Sequence, residues 1–239
     1  MSTIVISSKA GYESALALSE ALGCAYENPF ETDNRDFSKY SCVVKYGFSR
    51  PIHTKKGTLV FNKTKSTKIA LDKVVTFELF KDDGIIVPYT TNIKEAAKWL
   101  KDGMVVARAT ATGHNSDGVT FCQDAEDLLN AEATFFTKYI DHTNEFRVNC
   151  WRNKVVSVYD KVERKGLFSF ELFQGVETQP QLVALVNKVF DKTSLDWFGM
   201  DVLRDKKGDL WMLEINSAPI LYPYTLKKLT TIIKQETAE

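Results

Sequence analysis

Two carboxylates and an amide lie close together in a stretch whose neighbours are apolar. Asp201 follows Asp196-Trp197-Phe198-Gly199-Met200, the chain turns at Lys206-Lys207-Gly208-Asp209, and a second apolar run, Leu210-Trp211-Met212-Leu213, ends in Glu214-Ile215-Asn216. The pattern is strand, turn, strand. A turn centred on Lys207-Gly208 sets Asp201 directly opposite Glu214, and like charges facing each other across a ladder destabilise it. Side chains repeat every second residue, so Asn216 shares the face of Glu214. Such a set of oxygen donors suits a hard divalent cation. Mg²⁺ is held by one or two carboxylates, with water and substrate phosphate oxygens filling the remaining positions. The plainer reading is a hairpin with a solvated acidic face. Against it, Leu210 and Met212 share the face of Glu214, and Pro219 soon ends the strand.

Cations are the next groups with chemistry to offer. The loop Gly113-His114-Asn115-Ser116-Asp117-Gly118 has two glycines, but Val119-Thr120 follows where a Walker A loop needs Lys and then Ser or Thr. A small-residue hairpin tip can still wrap phosphates with backbone N–H groups, and Arg108 just upstream supplies charge; the alternative is an ordinary turn. Lys73 falls inside a helical pattern and reads locally as a solvated surface lysine. Glu145 and Arg147 lie on a strand whose opposite face is apolar, over a cleft or in an ion pair with a group such as Asp160. His114 is the only histidine in a candidate site, so no Ser-His-Asp set is evident. Gly11 alone makes no dinucleotide fingerprint.

The elements that must position these groups alternate between strand and helix. Thr3–Ser7 predicts a buried strand, Glu13–Leu22 an amphipathic helix stopped by Gly23, and Cys42-Val43-Val44 a second strand, opening an α/β unit with a parallel sheet. Tyr26–Tyr40 reads as a loop. The spacing predicts one helix over 66–83, a short strand at Ile85–Pro88, and a capping box at Asn92 and Glu95 opening a helix to Asp102. Val105–Arg108 and Val119–Cys122 form a hairpin around the polar loop. Asp124 caps a short helix and Phe135–Ile140 is a strand. In Asn144–Trp151, Glu145, Arg147 and Asn149 share one face, with Phe146, Val148 and Cys150 on the other. Lys154–Lys161 pairs back, Gln181–Lys192 is helical, and Thr225–Gln235 is a helix after the acidic hairpin.

Bulk properties narrow the class. At 239 residues, 44% hydrophobic, the chain supports a sizeable core. Thirty-one basic residues balance 31 acidic ones, which does not indicate nucleic acid as a partner, though a local basic groove stays open. Cys24, Cys42, Cys122 and Cys150 are too dispersed for a zinc or disulfide framework and read as thiols in a reducing compartment. Neither a membrane span nor a signal peptide is legible, so the expected location is the cytoplasm, the host's if the origin is a bacteriophage.

Taken together, from about Phe61 to Pro219, these pieces resemble the ATP-grasp superfamily. The likeness is to its carboxylate–amine ligases, such as D-alanine–D-alanine ligase, the ribosomal-protein glutamate ligases and small bacteriophage relatives. Phe61-Asn62-Lys63, Ala70-Leu71-Asp72-Lys73 and Gly84–Pro88 are similar to the family's approach segment, which implies that Lys73 reaches the nucleotide phosphates. Arg108 and the loop Gly113, His114, Asn115, Ser116, Gly118 match the second basic residue and the phosphate-covering loop. Many members have lysine at Arg108; arginine keeps the charge and adds bidentate geometry. Lys138-Tyr139-Ile140 resembles the hinge whose backbone pairs with adenine, and Glu145 the acid that holds ribose. Arg147 and Lys161 match basic positions near the phosphates or the acyl-phosphate, and Asp201, Glu214 and Asn216 match the metal ligands. Gly199 stands where the D-alanine ligases carry arginine, which leaves Arg147 as the candidate for oxyanion stabilisation.

The resemblance implies an α/β (α+β) ATP-grasp fold of two α+β subdomains preceded by a small Rossmann-like α/β domain. The expected boundaries are 1–62, 63–134 and 135–239, the last carrying the metal site. It implies ATP and Mg²⁺, with Mn²⁺ as a substitute. A carboxylate takes the γ-phosphoryl group, and an amine on an amino acid, peptide or modified base displaces phosphate to form an amide. The competing expectation is a nucleotide-binding module that has lost catalysis and serves as a regulatory or partner-binding protein. Neither the acid, the amine nor the oligomeric state is specified by the sequence.

Overall fold

The computed structural model describes residues 2–112, 118–164 and 167–238. In chain order, β1 (Thr3–Ser7) leads through a 3₁₀ turn to α1 (Tyr12–Leu22), followed by β2 (Ala25–Glu27), α2 (Pro29–Thr32), β3 (Cys42–Tyr46), β4 (Leu59–Phe61) and α3 (Thr64–Leu71). Next come α4 (Lys73–Phe80), β5 (Tyr89–Thr90), α5 (Ile93–Trp99), β6 (Val105–Arg108), β7 (Val119–Cys122), α6 (Ala125–Asn130) and β8 (Phe135–Lys138). The remainder is β9 (His142–Trp151), β10 (Lys154–Arg164), β11 (Leu167–Leu172), α7 (Pro180–Thr193), β12 (Trp197–Asp205), β13 (Leu210–Asn216) and α8 (Pro223–Glu236). No helix among the described residues is long and apolar enough to cross a membrane.

Three sheets result: β2-β1-β3-β4, β5-β8-β6-β7 and β11-β10-β9-β12-β13. The first is parallel throughout, as its near-continuous apolar strands require. The chain divides into two compact units, one of residues 1–71, 146–200 and 215–239, the other of 72–145 and 201–214. The division therefore falls within β9, β12 and β13.

In the first unit, α1 and α8 bring Leu18, Leu229 and Ile233 onto Val5, Val44, Trp151 and Trp197. Gly23 ends α1 at φ 68, its N–H bonding to Glu20 O (3.1 Å) while Cys24 N–H bonds to Ser19 O (3.0 Å), a left-handed cap that favours glycine. In the second unit, β6 is flanked by β7 and β8 in antiparallel register, Arg108 opposite Val119 and Phe135. Val105 and Ala107 pack with Ala96 and Leu128 of α5 and α6, and the strand's period of two places Val106 and Arg108 on the other face.

Several expectations need correcting. The helix over 66–83 is two helices, because Asp72 adopts an extended conformation and its carboxylate accepts N–H bonds from Val74 (2.9 Å) and Val75 (3.2 Å), starting α4 afresh. Tyr26–Tyr40 contains β2's end and α2, the latter capped by Asn28. Ile85–Pro88 forms only a single bridge, Ile86 to Met212, and the strand falls at Tyr89–Thr90. Asn92 caps α5 through Lys94 N–H, but Glu95 bonds Thr90 Oγ1 (2.9 Å) and leaves the reciprocal half of the capping box unmade. The edge strand β11 is an addition that the sequence reading does not contain.

Candidate functional site

Within the second unit, three sequence-predicted residues interact. Because Asp72 restarts the helix, Lys73 is its first residue rather than a mid-helix surface group, and its N–H bonds to Ala111 O (2.9 Å) in the segment leading to the polar loop. Its ammonium lies 3.1 Å from Glu214 Oε2, with the side chains 18% and 28% exposed. β13 is held nearby through Met212, whose N–H bonds to Ile85 O (2.7 Å) and whose carbonyl accepts from Val87 N–H (3.2 Å). Burial lowers the Arg108 guanidinium, and attraction to Glu214 works against that fall. Its Nε is buried without a hydrogen-bond acceptor among the described residues. A buried guanidinium with an unsatisfied donor, beside a lysine tied to the same carboxylate, is suited to accept an anion.

Gly118 closes the β6–β7 hairpin: Ala109 N–H bonds to its carbonyl (2.8 Å), its φ is 70, and an added Cβ would meet Ala109 Cβ at 2.8 Å. Gly113, His114, Asn115 and Ser116 lie outside the described residues. Lys138 pairs with Asp102 (2.9 Å); its N–H is bonded to Pro88 O (2.8 Å) and that of Tyr139 to Met104 O (3.1 Å), while Ile140 O contacts His142 Nδ1 (2.9 Å). Glu145 is part-buried near the start of β9. A cleft of about 440 Å³, lined by Glu78, Tyr89, Glu95 and Trp211, contains none of Lys73, Arg108 or Glu214.

The acidic hairpin closes differently from the expected two-residue centre. Asp205 N–H bonds to Asp209 O (3.0 Å), Gly208 N–H bonds to Asp205 O (3.0 Å), and Gly208 takes φ 91. The left-handed glycine adds a third residue to the turn. Beyond the turn, Asp201 lies on β12 and Glu214 on β13, neighbouring strands of the third sheet. Among the described residues, no three of His, Cys, Asp and Glu gather as a metal-holding group.

In the first unit, Arg147 stacks on Phe170 at 4.6 Å and pairs across the ladder with Tyr159. Asp160 pairs with Phe146 across the ladder, and the strand's period of two places it on the opposite face from Arg147. Lys161 pairs with Phe170 across the ladder, and its ammonium lies 4.9 Å over Phe168. Phe168 and Phe170 belong to β11, so the aromatic partners of both cations are missing from the sequence reading. Their signal is the alternation Phe168-Ser169-Phe170-Glu171. Asn216 Oδ1 accepts Ala218 N–H (2.8 Å), using one of its two lone pairs. The chain beyond it is fixed closely. Gly47 N–H bonds to Ser217 O (3.1 Å), Tyr46 OH donates to Pro219 O, and a Cβ on Gly199 would meet Pro219 Cβ at 2.7 Å.

Comparison with known proteins identifies the fold and the family. Among solved structures, the ATP-grasp ligase PsnB complexed with minimal precursor aligns with a TM-score of 0.73 at 13% identity, covering 98% of this chain and 99% of that one. The macrocyclase MdnC from Microcystis aeruginosa MRC, bound with precursor peptide MdnA, gives 0.69 at 12%, covering 98% and 100%. D-alanine–D-alanine ligase from Bacillus anthracis complexed with ATP gives 0.66 at 14%, covering 99% of each. No curated protein matches the sequence. The model of the RimK-like ATP-grasp domain matches residues 62–236. The cation pair on Glu214 thus lies inside the matched domain, and the chain belongs to the RimK-like ATP-grasp family.

Proposed function

We propose that this protein is an ATP-dependent carboxylate–amine ligase whose substrate is a peptide. The observation that carries the reading is the convergence of Lys73 and Arg108 on Glu214. Two cations drawn to one acid, one of them with a buried donor that has no acceptor among the described residues, form a receptor for a triphosphate. Phosphoryl transfer needs positioning and charge neutralisation more than covalent help, so Lys73 and Arg108 suffice without a nucleophilic side chain. The γ-phosphoryl group passes to the substrate carboxylate and ADP leaves. The amine then attacks the acyl carbon, phosphate departs with the C–O electron pair, and the amine's proton is lost to solvent.

Arg147 and Lys161 serve the acyl-phosphate, Arg147 being the group to stabilise the oxyanion. Lys138, Tyr139 and Ile140 serve adenine, and Glu145 the ribose. The loop of Gly113, His114, Asn115, Ser116 and Gly118 covers the phosphates. Glu214, Asp201 and Asn216 supply hard oxygen donors of the kind Mg²⁺ takes; bound there, the ion neutralises phosphate charge. A PsnB structure that contains Mg and ADP supports that assignment. Peptide as the substrate is supported by PsnB and MdnC, both solved with precursor peptides and aligned over nearly their full lengths. The test is ADP release with a panel of peptides and amines, with product mass read for a bond formed with loss of water. ADP release that ignores both substrates defeats the ligase reading and leaves a nucleotide-binding module.

A further inference from the structure

The zero net charge of the chain conceals a strong local imbalance. Between Arg35 and Leu71 nine side chains are basic and one, Asp36, is acidic, a net of +8 in a neutral protein. The fold concentrates part of this charge beside the C-terminal end of β3. Lys45 is 1% exposed, donating to Arg50 O (3.1 Å) and Thr64 Oγ1 (2.7 Å), with its ammonium 5.6 Å from the Phe48 ring. Burial, and then the charge of Lys68, pull it down to about 8. Arg50 stacks over Phe30 at 4.2 Å and Arg35 over Phe48 at 5.3 Å. Lys65 and Lys68 project from α3 into solvent. Among the described residues, only Arg35 of this set has an acid beside it, Asp33 at 3.3 Å, whose side chain is 91% exposed and therefore contributes little.

These cations repel one another and, Asp33 apart, have no ion-pair partner among the described residues, as a surface that meets an external anion would. The aromatic rings indicate which anion. Phe30 and Phe48 already have guanidinium groups over them, and Tyr40 has Lys39 at 5.1 Å, so the rings are occupied as cation platforms rather than open for base stacking. The rest of the chain carries net negative charge, which opposes a long phosphate backbone. We propose that Arg35, Arg50, Lys65 and Lys68, arranged around buried Lys45, form a docking surface for an acidic stretch of polypeptide. None of these residues belongs to the set assigned to ATP. The proposal rests on the ligase reading only in taking the docked polypeptide to be the substrate or its carrier.

The test uses the full chain and fluorescence anisotropy with three labelled probes: oligoglutamate of about eight residues, a Gly/Ser peptide of the same length, and an oligothymidylate, each at about 50 and about 200 mM salt. The expected result is oligoglutamate binding at least about 10-fold tighter than either other probe and weakening as salt rises. The variant Arg50→Glu/Lys65→Glu/Lys68→Glu lowers that affinity about 10-fold or more. Lys94→Glu/Lys98→Glu/Lys101→Glu, which changes charge equally on α5 and the turn after it, leaves it unchanged. Thermal midpoints with and without MgATP confirm that both variants are folded. Equal binding of the Gly/Ser peptide, tighter binding of oligothymidylate, or equal loss in the two variants overturns the proposal. Oligoglutamate binding without substrate-dependent ADP release would sink the ligase reading alone; ADP release without this binding would sink the docking surface alone.

Discussion

Replacing Glu214 with glutamine separates two roles that the carboxylate plays in the proposed mechanism. Glu214 holds the Lys73 ammonium at 3.1 Å and attracts Arg108. At that distance, an effective dielectric of about 20 gives a gross attraction of about 5 kcal/mol. Both side chains are partly exposed, so water and desolvation reduce the net worth of the pair to about 1–2 kcal/mol. A phosphate that takes Lys73 from Glu214 must overcome that amount. Glutamine has the same shape without the charge, so Glu214→Gln removes the competition. We expect metal-free ADP to bind the variant about 5–30-fold tighter than the parent, which is the same energy expressed as affinity. The gain that Mg²⁺ adds to binding should disappear, because one of its donors is lost. Calorimetric titration of ADP in chelator, repeated with Mg²⁺, reads both numbers. Unchanged or weaker metal-free binding would refute the argument that this acid restrains the phosphate-binding lysine.

Three further outcomes follow from the described contacts. Lys45 has a folded value of about 8 against 10.5 for a free lysine, so the folded state binds fewer protons between those values and its stability rises with pH across that window. The free-energy advantage of Lys45→Met over the parent should therefore be greatest below about pH 8 and shrink by about 3 kcal/mol toward pH 10.5; parallel urea-stability profiles would contradict it. Asn62 is buried at φ 57 and bonds Trp197 O (2.7 Å), Asp196 N–H (2.9 Å) and Trp197 N–H (3.0 Å), so Asn62→Ala should cost about 3 kcal/mol in chemical denaturation. Gly199→Ala should destabilise by about 1–3 kcal/mol through contact with Pro219, and a thermal midpoint equal to the parent's would show that the Ser217–Pro219 segment yields easily.

Strong periodicity made most of the fold legible, and local backbone choices hid the rest. β1, α7 and α8 could be read because apolar spacing and flanking Gly or Pro agree. The α3–α4 break could not, because Val74, Val75 and Phe77 continue an apolar pattern across Asp72, and only the carboxylate's bonds to two amides reveal a new helix start. That break changes the meaning of Lys73, from a solvated lysine to the first residue of a helix aimed at Glu214. The acids of the hairpin were visible as misfits in apolar strands. Their closing turn was not, since Lys206-Lys207-Gly208 serves a two- or a three-residue turn and the bonds Asp205 N–H to Asp209 O and Gly208 N–H to Asp205 O select the longer one. The basic surface near β3 escaped notice because the whole-chain charge is zero, whereas a windowed count exposes it.

The packing of α8 on α1 also bears on biosynthesis. Lys234 Nζ reaches Ala21 O (3.0 Å), Leu221 N–H bonds to Ser14 Oγ (3.1 Å), and Leu229 and Ile233 complete the apolar cluster around Val5 and Leu18. Helix α8 leaves the ribosome more than two hundred residues after β1, so the parallel sheet must wait with an uncovered greasy side throughout translation. Chaperone dependence should consequently track the delay before α8 emerges, and a ribosome stalled ahead of Pro223 should hold a nascent chain that proteases cut within α1.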